Sequence, residues 1–74
     1  MKATLIFDLP EDREEFETSS NAGKWKSVAW EMDQWLRGQT KHAPDDMSED
    51  KYNTLLRCRK QLREIIEVEN LNLD

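Results

Sequence analysis

Cys58 is the only cysteine of this 74-residue chain, and no pair of Cys or His residues has the spacing of a zinc site. The chain must therefore hold its fold without a disulfide or a structural zinc. A domain of this length buries only about 60% of the surface that its unfolded form exposes. What remains for stability is well-matched helix packing or association with another chain. Hydrophobic and charged residues each make up 36% of the chain. That balance lies between folded and disordered compositions, and three tryptophans tip it toward a folded one.

The hydrophobic pattern predicts a single, mostly α domain. Residues Ala3 to Leu9 alternate apolar and polar, which reads as a short N-terminal strand. Its pairing partner would be the alternating tail Asn70 to Leu73 or a second copy of the chain. Pro10 suits the first position of a helix, and Glu11 and Asp12 favour its positive end, so helix 1 is expected over Pro10 to Ser20. Gly23 marks a break. Helix 2 is expected over Lys24 to Gln39, with Trp25, Val28, Ala29, Met32 and Leu36 as its inward stripe. Helix 3 is expected to start at a Ser48 cap and fade near Glu69. Met47 and Tyr52 bracket that cap as a hydrophobic staple. Its apolar arc is Tyr52, Leu55, Leu56, Leu62 and Ile66, with Cys58 and Ile65 on the edge. The expected architecture is a short strand followed by a compact three-helix arrangement with helices 2 and 3 antiparallel.

The net charge of −5 conceals alternating blocks. Residues 1–20 carry −4, 21–42 carry +2, 43–50 carry −4, 51–66 carry +4 and 67–74 carry −3. This argues against general coating of DNA and leaves local basic patches. No apolar run approaches the ~20 residues of a membrane span, and the opening residues do not read as a signal peptide. Location in the cytoplasm is the expectation.

No arrangement of residues points to catalysis. There is no Gly-rich phosphate loop, nucleophile elbow or HExxH motif, so neither an enzyme nor a cofactor is expected. The acids Asp45, Asp46, Glu49 and Asp50 lack the alternating ligands and central Gly of a calcium loop. The acids Glu11 to Glu17 read as a helix start, or as mimics of nucleic-acid phosphates. His42 is expected on the surface and Cys58 in the core. At 100° per residue, Trp30 falls about 140° from the centre of the helix 2 stripe, with Lys26 and Arg37 on the same side. Lys26, Trp30, Asp33 and Arg37 are therefore the candidate partner-binding patch, because Trp and Arg are enriched at binding hot spots. A second candidate is the basic run Arg57, Arg59, Lys60 and Arg63. It would hold nucleic acid through charge, with tryptophans for stacking. The seam Leu55, Cys58, Leu62 and Ile65, the thin core and the unpaired strand all suggest a homodimer.

Several stretches together resemble a family of small proteins encoded by tailed bacteriophages. They are Phe7-Asp8-Leu9-Pro10-Glu11-Asp12 leading to Glu15-Phe16, Asn21-Ala22-Gly23-Lys24-Trp25-Lys26, Trp30-Glu31-Met32-Asp33-Gln34-Trp35-Leu36-Arg37, and Lys41 to Ser48. The resemblance covers about residues 3 to 66 and lies in pattern and order, so it carries over no site residues. It implies a protein made inside a bacterial host. Small phage proteins of that kind commonly bind host proteins, inhibit defence systems or assist phage DNA metabolism. The sequence therefore leads to a non-enzymatic protein that binds, and inhibits, a host partner; the alternative is a nucleic-acid-binding accessory of phage replication.

Overall fold

The computed structural model describes all 74 residues. It contains three helices, α1 (Arg13–Ser20), α2 (Ala22–Lys41) and α3 (Glu49–Val68). No strand forms. Residues 1–8 are irregular, and Leu5 and Ile6 are 76% and 86% exposed. The alternation of Ala3 to Leu9 finds no ladder partner, because the tail that could have paired with it folds onto the helices instead. A lone strand cannot satisfy its own backbone groups. The segment is tethered through Phe7, whose ring meets Phe16 of α1 edge-on at 5.6 Å.

Helix α1 begins three residues later than Pro10. The Asp12 N–H donates to the Asp8 carbonyl at 2.7 Å, and the Asp8 N–H donates to Asp12 Oδ2 at 2.9 Å. Pro10 to Asp12 are thus spent on a closed turn, and the Asp12 carboxylate points back along the chain. The break before α2 falls at Asn21 rather than Gly23. The Asn21 N–H donates to the Glu17 carbonyl and its own carbonyl accepts from Trp25, each at 3.0 Å. Gly23 lies inside the first turn of α2. Helix α1 packs against α2 alone and buries no residue, so the arrangement is not a compact three-helix unit.

Helix α3 starts as its sequence dictates. Ser48 is extended (φ −65°, ψ 149°), and its hydroxyl accepts the Lys51 N–H at 3.1 Å. It ends in a Schellman turn. The Asn70 N–H donates to the Glu67 carbonyl at 3.0 Å and the Leu71 N–H to the Ile66 carbonyl at 3.1 Å. Asn70 holds the left-handed conformation at φ 56° that this turn requires. The reversal sends Leu73 back into the interior, where it is 7% exposed.

The start of α2 lies beside the end of α3: Ala22, Trp25 and Ala29 share a groove with Ile66, Leu71 and Leu73. Helices α2 and α3 are therefore antiparallel, joined by residues 42–48. Three side chains are buried: Leu36, Leu73 and Asp33. Asp33, the most enclosed, is 0% exposed. Arg59 donates to it from Nε (3.0 Å) and Nη2 (3.3 Å), and Arg63 from Nε (2.9 Å) and Nη2 (2.8 Å). Gln34 Nε2 adds a fifth donor at 3.2 Å. Arg63 also reaches the Asp74 carboxylate at 3.1 Å, which ties down the tail. No buried side-chain polar atom lacks a partner.

The hydrogen bonds from Arg63, then those from Arg59, hold the Asp33 carboxyl well below the usual carboxylate range, against the opposing effect of burial. The same contact raises Arg63. Removing the anion leaves two guanidiniums of α3, one turn apart, converging on an interior position of α2 with no charge to meet them. Asp33→Asn should cost about 3 kcal/mol, because breaking a buried pair strands its partner charges. Urea unfolding followed by circular dichroism measures it. A carboxyl that titrates lower when folded contributes fully above its unfolded value of about 4 and loses that contribution as pH falls below it. Thermal stability of the wild-type chain should therefore drop below about pH 4, with a shallower acid slope in Asp33→Asn. At the α3 terminus, Asn70→Val should destabilise by about 1 kcal/mol while Asn70→Gly does not, since only the β-branched residue resists a left-handed backbone.

Candidate interaction surface

The inner line of α2 runs through Ala29, Asp33, Leu36 and Thr40, all buried or half-buried. This line is rotated from the expected stripe because the interior is set by Asp33 and its arginines rather than by the largest apolar side chains. Trp25, Val28 and Met32, expected inside, are 66%, 58% and 50% exposed. They stand with Trp35 on one flank of the helix. Asp33, expected in the outer patch, is instead at the centre of the interior and takes no part in that surface.

The other three members of the patch stand where the helical wheel places them. Lys26 and Arg37 are exposed, and Trp30 is 46% exposed between them. Relative to the inner line of α2, they turn to the flank opposite Trp25, Val28, Met32 and Trp35. Lys26 also borders the groove of about 420 Å³ that Trp25, Ala29, Ile66, Leu71 and Leu73 line between the start of α2 and the tail. The patch is thus continuous with an apolar depression. The sequence reading missed that groove, because it depends on the chain reversal at Asn70.

The basic run of α3 is divided by the fold. Arg59 and Arg63 turn inward to Asp33, and Arg63 is shared with Asp74. Lys60 stands 3.9 Å from Glu64 on the solvent side. Arg57 is exposed, with Nη2 3.4 Å from the Thr54 hydroxyl. Arg57 stands apart from the other three, which border one depression. Two of them neutralise a buried carboxylate, which leaves less charge for phosphate contacts than their number implies. Arg59, Lys60, Arg63 and Asp74 line an open depression with Leu56.

Cys58, expected in the core, is exposed, and Ile65 is 52% exposed. Leu55 and Leu62 are half-buried. The seam expected over these four residues is therefore split between interior and surface. No cluster of three or more His, Cys, Asp or Glu side chains is placed to hold a metal ion. No helix is long and apolar enough to cross a membrane. No family model, curated protein or solved structure matches this chain.

Proposed function

We propose that this chain is a non-enzymatic binding protein of phage origin that docks on a bacterial host protein, such as a defence or DNA-metabolism factor, and inhibits it by occupying its surface. The observation that carries this reading is Trp30, an aromatic side chain 46% exposed between two free cations on a helix whose inner face is locked. An indole held on a helix loses little conformational freedom on docking and supplies a large apolar contact. The apolar groove beside Lys26 extends the same surface. Its chemistry calls for a partner with a pocket for an indole, rimmed by carboxylates that meet Lys26 and Arg37. Complementary charge of this kind speeds encounter and selects partners.

A nucleic-acid partner is less well supported by the residues. Arg59 and Arg63 are committed to Asp33, and acidic segments flank the basic ones. The deciding experiment is capture from bacterial lysate on the tagged full chain, with and without nuclease. It is run beside the triple variant Lys26→Ala, Trp30→Ala, Arg37→Ala. We expect one dominant host protein to survive nuclease and moderate salt and to be lost with the variant, whose circular dichroism stays helical. Binding that persists in the variant overturns the assignment of the surface. Proteins that disappear with nuclease, leaving affinity that falls steeply with salt, overturn the reading in favour of nucleic acid.

A further inference from the structure

The hairpin of α2 and α3 leaves one of its two sides apolar and uncovered. On α2 the exposed residues are Trp25, Val28, Met32 and Trp35, with Trp35 56% exposed. Their spacing is three, four, three. On α3, Cys58, Gln61, Ile65 and Val68 repeat the same spacing and are all exposed, Val68 at 78%. Such a spacing is that of the seam of a coiled coil, in which each side chain inserts between four of a facing helix.

The two seams share a side. At 100° per residue, the α2 seam lies about 90° from the inner line of Ala29, Asp33 and Leu36. The α3 seam lies about 110° from the inner line of Leu55, Arg59, Leu62 and Ile66, turned in the same sense. Because the helices are antiparallel, the same sense of rotation brings both seams to one side of the hairpin. Trp30, Arg63 and Asp74 belong to the other.

We infer that this apolar side is closed by a second copy of the chain, so that two hairpins stack face to face into a four-helix bundle. The surface area fits a second copy. The chain exposes 6772 Å², whereas a compact folded chain of 8.8 kDa exposes about 4,800 Å². Its radius of gyration is 17.7 Å, against about 11 Å for a compact 74-residue domain. Irregular residues 1–8 account for part of the excess. Helix α1, which buries no residue, accounts for more. The whole excess of about 2,000 Å² compares with the ~1,000 Å² that each subunit buries at the lower end of obligate homodimer interfaces.

Charge fits a second copy as well. No charged residue lies within either seam. The residue preceding each of Trp25, Met32, Cys58 and Ile65 is Lys24, Glu31, Arg57 and Glu64, respectively. Each helix thus flanks its seam with a cation and, one heptad later, an anion. When such a flank meets an antiparallel copy, or the other helix of the copy, unlike charges come opposite and like charges do not. This flank is self-complementary, whereas a uniformly acidic or basic partner would meet a like charge at every second position.

The test uses the full wild-type chain in sedimentation equilibrium over a range of concentrations. It is paired with the rate at which an alkylating reagent modifies Cys58. We expect a mass twice 8.8 kDa, and loss of Cys58 reactivity over the concentration range in which the dimer forms. Met32→Glu places a charge at the centre of the seam on a half-exposed position and should halve the mass while preserving helicity. Trp30→Glu, on the opposite side, should leave the dimer intact. A wild-type chain that stays monomeric at high concentration overturns the proposal. So does a dimer in which Cys58 remains reactive, because association is then through another surface. The Cys58 readout needs no variant and decides the question even where Met32→Glu fails to fold. Trp30 and Met32 lie on opposite sides of α2 and neither lines the groove that Trp25 borders, so loss of host-protein binding in Trp30→Glu and loss of the dimer in Met32→Glu are separable results.

Discussion

The Asp33 carboxylate between Arg59 and Arg63 is the constraint on which the rest of the structure depends. A carboxylate accepting from two guanidinium forks tolerates little sliding, because both forks must stay in plane with their oxygens. The contact therefore fixes the register of α2 against α3. A leucine pair at the same place would have allowed several registers of similar energy. Arg63 carries the constraint one step further. Its remaining donors hold Asp74, and Asp74 follows Leu73 into the interior. The left-handed turn at Asn70 and the clamp are thus two ends of one device that folds the tail over the groove.

A fold organised this way is a single layer. Its extents of 56 × 27 × 18 Å match two helices side by side, prolonged by α1 and the opening segment. Stable domains usually bury helical stripes between at least two layers. Here α2 has one inner line and two flanks, and the flanks differ in kind. One is apolar with heptad spacing; the other is aromatic and basic. A single layer has two broad sides, and in this one they differ in chemistry as the two flanks of α2 do.

The helices were legible in the sequence because their signals are local. Ser48 followed by Glu49 and Asp50 predicts the start of α3, and the cap hydrogen bond forms there. The antiparallel hairpin follows from two apolar stripes and a short connection containing Pro44. Other features depend on contacts distant in the chain. The alternation of Ala3 to Leu9 is a real pattern, but a strand exists only where another strand meets it. The largest apolar residues of α2 centre its stripe on a face that the fold leaves half outside. The signal that corrects this placement is Asp33 read together with Arg59 and Arg63. Two arginines four apart on the apolar arc of α3, with one acid within the apolar-rich stretch of α2, are a charge-balanced interior set. Assigning Asp33 to solvent left those arginines without a reason to lie on that arc.

The clamp is also the reason so much apolar surface remains outside. In a 74-residue chain, each inward position of α2 given to a carboxylate is one not given to a leucine, and Arg59 takes an inward position on α3 as well. The clamp specifies register and displaces hydrophobic burial in doing so. Trp25, Met32 and Trp35 then cannot be drawn into the interior by a small rotation of α2, because that rotation would pull Asp33 out from between its arginines. The apolar flank is held outward by the ion pairs, with a fixed spacing and a fixed side. A surface held that way is prepared before any contact is made, so association need not first pay the entropy of ordering it.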